Sequence, residues 1–160
     1  SFVTDKMPHN FMMCGFIHRM LPHAKIIYCY RDPMDNCFSL YRNTFAKSGH
    51  GYSYDQDKLA IHYNLHIKLM NHWRDILGEK ILLLKNETLI DDQKGVTSKL
   101  LDHCNLEWED TCLEFYKTER DVRTISLRQV RNPINKNSLG IWKKYSGSFD
   151  KISKSLEKFL

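Results

Sequence analysis

Lys25-Ile26-Ile27-Tyr28-Cys29-Tyr30-Arg31-Asp32-Pro33-Met34-Asp35-Asn36-Cys37-Phe38-Ser39 is the stretch whose reading decides the fold. The run from Lys25 to Tyr30 is dense in β-branched and aromatic residues, the pattern of a strand buried on both faces in a parallel sheet. Pro33 follows at once, where proline favours the first turn of a helix, and Asp32 before it is suited to cap that helix. The helix is predicted to run to about Phe45. Strand then helix brings Arg31 to the C-terminal edge of the sheet, where ligands bind in open α/β sheets.

Outward from this unit, the chain alternates strand and helix signals. Phe2-Val3-Thr4-Asp5 reads as a short strand. Asn10 is placed to cap a helix whose apolar face is Phe11, Met12, Phe16, Ile17 and Met20, and Leu21-Pro22-His23 ends it. Gly49 to Tyr54 reads as a loop. Asp55 to Leu77 reads as a long helix, with Leu59, Tyr63, Met70, Trp73 and Leu77 at helical spacing and Gly78 as C-cap. Lys80 to Lys85 is a second buried strand. Asp91 to His103 and Glu109 to Glu119 read as helices, Arg123 to Asn137 as an ordered loop. Leu139 to Tyr145 and Lys151 to Leu160 read as two closing helices. The pattern predicts an α/β layered domain with a parallel sheet, a single domain over residues 1–160.

Composition bounds the rest. The chain has 160 residues, with 42% apolar and 27% charged, the balance of a globular domain. No apolar run is long enough to span a membrane. The five cysteines form no C-x-x-C pair, and most lie in apolar segments. Free thiols in a reducing compartment are therefore expected, rather than a disulfide framework. The net charge of +5 favours an anionic partner without naming it.

For chemistry, the residues alone leave two readings of the Arg31 unit. Arg31, the helix start and the Ser39 hydroxyl two turns on could share one phosphate, because a guanidinium grips phosphate with paired hydrogen bonds. Arg31-Asp32 could equally be a surface ion pair and Ser39 a plain helix residue. His62 and His66 are i, i+4 on the long helix, but no third ligand accompanies them, so packing histidines are expected and no metal. His9 is close to Lys6 in sequence, and a base role for it is the weaker reading beside packing.

The R-D-P-x-D-x-x-x-S pattern after a buried strand resembles the 3'-phosphate-binding motif of sulfotransferases. Thr4-Asp5-Lys6-Met7-Pro8 and Leu21-Pro22-His23-Ala24-Lys25 are similar to the segment before that motif in tyrosylprotein sulfotransferases and their bacterial relatives. Phe45, Gly49-His50, Tyr52-Ser53-Tyr54, Met70-Asn71-His72-Trp73-Arg74 and Ser126-Leu127-Arg128-Gln129-Val130-Arg131-Asn132-Pro133-Ile134 continue the likeness in order.

The resemblance implies a P-loop-NTPase-like parallel sheet flanked by helices. The donor would be 3'-phosphoadenylyl sulfate (PAPS), the acceptor a hydroxyl group such as a protein tyrosine, with no metal and no nucleic acid. Arg31 and Ser39 would bind the 3'-phosphate. Lys6 would reach the transferring sulfuryl group and Ser126 its oxygens. Gln129 and Arg131 belong to a loop that would close over the nucleotide, with Arg123 and Arg128 beside them and Trp142 and Lys143 just after.

The family's N-terminal strand, its 5'-phosphosulfate loop and its catalytic base are expected upstream of these 160 residues, as are tetratricopeptide repeats. The fragment is therefore expected to be inactive alone, with an apolar sheet face or edge poorly covered. The expected location is cytoplasmic, with the Golgi lumen as the eukaryotic counterpart. Asn86 stands where relatives carry a tyrosine, and Asn43 where the tyrosylprotein enzymes carry an arginine. A phosphate-loop kinase would need a G-K-[ST] loop, which is absent. A basic module for nucleotide, nucleic acid or glycan would need a continuous basic stripe, whereas the basic residues here are scattered.

Overall fold

A computed structural model of the chain describes residues 2–45, 49–118 and 130–156. Strand β1 (Ile26–Tyr30) lies parallel to β2 (Ile81–Lys85), with Ile26 opposite Ile81 and Tyr30 opposite Lys85. Among the described residues these are the strands, and helices flank them, giving a mixed α/β fold.

Helix α1 (Cys14–Met20) follows a 3-10 turn at Pro8–Met13, α2 (Pro33–Arg42) follows β1, and α3 (Gln56–Leu77) is the long helix. Beyond β2 come α4 (Asn86–Asp91), α5 (Gln93–Cys104), a 3-10 segment Asp110–Lys117, a second at Ile141–Tyr145, and α6 (Ser146–Ser155).

The caps explain most boundaries. Asp55 accepts the backbone N–H groups of Asp57 and Lys58, both at 3.0 Å, and so opens α3. Gly78 closes it at φ +53°, a left-handed value that glycine takes without a Cβ clash. The 22 residues of α3 extend about 33 Å and let one helix serve two cores. Leu59, Ala60, Tyr63 and Ile67 pack with Met34, Cys37 and Phe38 of α2 and with Phe149 and Ile152 of α6. Met70 and Leu77 pack with Cys14, Tyr28 and Ile81 beneath the sheet. Gly15 lets α1 approach α3 closely, because a Cβ there would come within 2.7 Å of the Trp73 ring. The Trp73 indole N–H is held by the Phe11 carbonyl at 2.7 Å.

Several elements depart from the expected pattern. Phe2 to Asp5 is irregular, with Val3 94% exposed, because among the described residues no strand lies beside it to take its backbone hydrogen bonds. Asn10 caps nothing: Pro8 opens the first turn, and the Asn10 amide donates to Asp5 instead. Helix α2 stops at Arg42, where Asn43 turns extended and its side chain takes the Ser39 carbonyl at 2.7 Å. The last helix starts at Ser146, before the expected Lys151.

Parallel sheets are normally covered on both faces. Here Ile27 is 38% exposed and Cys29 is exposed, both on the face of β1 turned away from Tyr28. Met12, Phe16 and Met20 add apolar surface nearby in the chain. The protein is therefore expected to self-associate, and Ile27→Thr, which keeps a β-branched side chain, is expected to lower it. Light scattering across a concentration series checks this; equal scattering of both proteins would show that this face is not the sticky one.

Candidate active site

Arg31 is the first residue beyond β1, so the strand fixes where its backbone leaves the sheet. The next residues hold that exit rigidly. The Asp32 carboxylate accepts the Asp35 N–H at 2.9 Å and caps α2. The Asp32 N–H donates to Glu87 Oε1 at 2.8 Å, tying the start of α2 to the start of α4. The Asp35 carboxylate is buried and accepts the Gly140 N–H, with both oxygens at 2.9 Å.

The guanidinium of Arg31 is only partly engaged. Its Nη2 stands 3.9 Å from Asp35 Oδ2 and donates to the Ser138 carbonyl at a long 3.4 Å. Its Nε is buried and has no hydrogen-bond partner. A buried unmet donor on a charged group is costly, which makes Nε a contact point for an incoming acceptor.

Arg31 lines a cavity of about 180 Å³ with Tyr28, Cys29, Tyr30, Asn36, Tyr63, His66 and Asn86. Among these lining residues Arg31 alone is a lysine, arginine or carboxylate. The Tyr28 and Tyr63 phenols are protonated at neutral pH, and burial pushes both further up. Burial, followed by the nearby His62, holds His66 down at about 4, so its imidazole is neutral there. The lining therefore carries the Arg31 cation beside neutral hydrogen-bonding groups, with the Asp35 carboxylate behind it at 3.9 Å.

Of the residues singled out from sequence, Ser39 lies on α2 one turn beyond Asn36 and is not among the residues lining the cavity. The N–H of Asp35 is already taken by the Asp32 cap, which leaves Arg31 rather than the helix start as the main anion contact. Lys6 is exposed in the irregular N-terminal segment and does not line the cavity. Arg131 is exposed and donates to the Thr118 carbonyl, also away from the cavity lining. Ser126 and Gln129, with Arg123 and Arg128, lie outside the described residues. Trp142 packs against the α2–α3–α6 core, as a residue that pins a segment down. His62 stacks on Tyr52 at 3.8 Å and sits near His9; among the described residues no group of metal-ligating side chains could hold an ion. Arg42, one residue from Asn43, sits over the Phe38 ring.

Four residues of this site were not legible. Asp35 and Glu87 act through partners far away in the chain, and Asn36 and His66 gain meaning only from the cavity they share. The acidic residue within R-D-P-x-D was the available signal for Asp35.

Residues 1–110 match the model of the sulfotransferase family, more than half of the chain. The chain belongs to the sulfotransferase family. A protein of Aquifex aeolicus (strain VF5), named as an uncharacterized protein, is 38% identical over 145 residues. That match takes in 89% of this chain but 19% of the relative, so the chain spans about a fifth of the length of the protein it resembles. The matched region contains β1, α2 and the Arg31 site of this sulfotransferase-family chain, together with Asn86 and Glu87.

The low position of His66 has a consequence for acid stability. Its value falls from 6.5 in the unfolded chain to about 4 in the fold, so between these limits the unfolded state binds more protons. Stability contributed by the neutral imidazole is present above about pH 6.5 and is lost as pH falls toward 4, by on the order of 2 kcal/mol. His66→Phe, which keeps a ring against Phe11 and Tyr28, is expected to flatten that decline. His62, also lowered chiefly by burial, leaves a smaller residual slope. Urea unfolding at pH 7 and pH 5 measures this; an unchanged difference in the variant would refute the assignment.

Proposed function

We propose that this chain anchors the nucleotide of a sulfotransferase that moves a sulfuryl group from PAPS to an acceptor hydroxyl. The observation that carries the reading is Arg31 itself: it stands at the C-terminal end of β1, lines the cavity as its one lysine, arginine or carboxylate, and keeps a buried Nε without a hydrogen-bond partner. Family membership supports sulfuryl transfer as the chemistry.

On this reading Arg31 holds the 3'-phosphate through paired N–H groups, and Ser39 adds a hydroxyl donor from α2. Asn36 and Asn86 offer amide donors and acceptors at the cavity wall. PAPS supplies the sulfuryl group when bound. Lys6 is assigned the ammonium that offsets charge growing on the leaving phosphate oxygen, and Ser126 a contact to the sulfuryl oxygens; both assignments rest on the resemblance. Gln129 and Arg131 are assigned to the segment that closes over the nucleotide on the same ground.

On this reading β1 and β2 are part of a P-loop-NTPase-like sheet, a further N-terminal strand, the 5'-phosphosulfate cradle and the acceptor base come from outside these residues, and the 160 residues alone bind without turning over. A protein tyrosine is one acceptor in keeping with it.

Immobilised adenosine 3',5'-bisphosphate is expected to retain the protein, and Arg31→Ala to weaken binding at least about tenfold, since a charge-assisted pair is worth ~1.5–3 kcal/mol. Elution with free bisphosphate and circular dichroism of the variant complete the test. A folded Arg31→Ala protein that is retained as tightly as the parent would remove the basis of this reading.

A further inference from the structure

One carboxylate serves two partners that lie on different parts of the chain. Asp35, 4% exposed, accepts the Gly140 N–H with both oxygens at 2.9 Å, while Arg31 Nη2 stands 3.9 Å from its Oδ2. Arg31 reaches the same late segment through the Ser138 carbonyl at 3.4 Å. Strand end, α2 and the Ser138–Gly140 segment thus close a ring of polar contacts between residues 105 and 107 positions apart.

The late segment is built to dock there. Gly140 sits at φ +67°, a left-handed conformation in which L side chains are strained. Ile141 and Trp142 after it pack on the α2–α3–α6 core, and α6 follows directly. The carboxylate that receives Gly140 is the same group that would otherwise claim Arg31. A buried carboxylate left with one partner turns fully toward it, because an unmet buried charge is far costlier than a shared one.

We propose that Asp35 is a positioning residue that couples docking of the Ser138–Gly140 turn to the anion affinity of Arg31. With Gly140 docked, the carboxylate is drawn off and the guanidinium keeps Nε for a phosphate. With Gly140 released, Asp35 pairs directly with Arg31 and masks it. Because linkage is reciprocal, a phosphate bound to Arg31 holds the late segment down. The proposal rests on the reading that Arg31 binds the nucleotide 3'-phosphate, and its test separates the two.

Amide hydrogen exchange at Gly140, followed by NMR in the full chain, reads docking directly. Saturating adenosine 3',5'-bisphosphate is expected to slow that exchange at least about fivefold, within the usual range of coupling. Adenosine 5'-phosphate, which lacks the 3'-phosphate, is expected to leave it within about twofold. Asp35→Asn keeps an acceptor for Gly140 but removes the charge, so bisphosphate should no longer slow the exchange although it still binds. Bisphosphate binding without protection of Gly140 in the parent protein overturns the coupling and leaves the phosphate reading standing. Equal protection by both nucleotides, or protection that persists in a folded Asp35→Asn protein, overturns it as well. No bisphosphate binding at all overturns the phosphate reading and the coupling together. Should Asp35→Asn fail to fold, the two nucleotides on the parent protein still decide.

Discussion

A carboxylate buried to 4% exposure needs fixed partners, and Asp35 has them in the Gly140 N–H and the Arg31 guanidinium. That requirement organises the site. It sets the end of β1, the first turns of α2 and the approach of the C-terminal helix against one another. Glu87 adds a second restraint by holding the Asp32 N–H from the other strand's exit. The two acids restrain the backbone on either side of the β1–α2 junction that carries Arg31, and Asp35 and the Ser138 carbonyl orient its guanidinium. Preorganised charge of this kind binds anions without the entropy loss of ordering a flexible arginine.

The surroundings sharpen the effect. Tyr28 and Tyr63 are neutral at physiological pH and burial moves their phenols further from ionising, while burial keeps His66 in its neutral form. A neutral, half-buried wall screens less than water, so the single cation counts for more within the cavity. The long α3 makes this arrangement economical, because Tyr63 and His66 project from the same helix that joins the two cores.

Local chemistry made much of this legible in the sequence. The Asp32 cap, Pro33 and the Gly78 C-cap each obey rules that need only near neighbours, and each stands as read; the KIIYCY run is a strand from Ile26, but one face of it is exposed rather than buried. The resemblance carried the family. What failed were readings that depend on absent or distant partners. Phe2 to Asp5 has strand propensity but no neighbouring strand among the described residues, so propensity alone did not make it one. Asn86 to Asp91 formed a helix inside a stretch read only for its missing tyrosine. Asp35 looked like one more acid in a motif because its partner Gly140 lies 105 residues on. His66 looked like packing because the cavity does not exist until β1, α2 and α3 meet.

The account stands or falls on the unused donor of Arg31. The most direct measurement is the NMR signal of the Arg31 side-chain Nε–H during titration with adenosine 3',5'-bisphosphate, assigned by its loss in an Arg31→Lys protein. The account requires that this proton move downfield and exchange more slowly with solvent as the nucleotide saturates. A signal that stays put while the nucleotide demonstrably binds would place the anion elsewhere and contradict it.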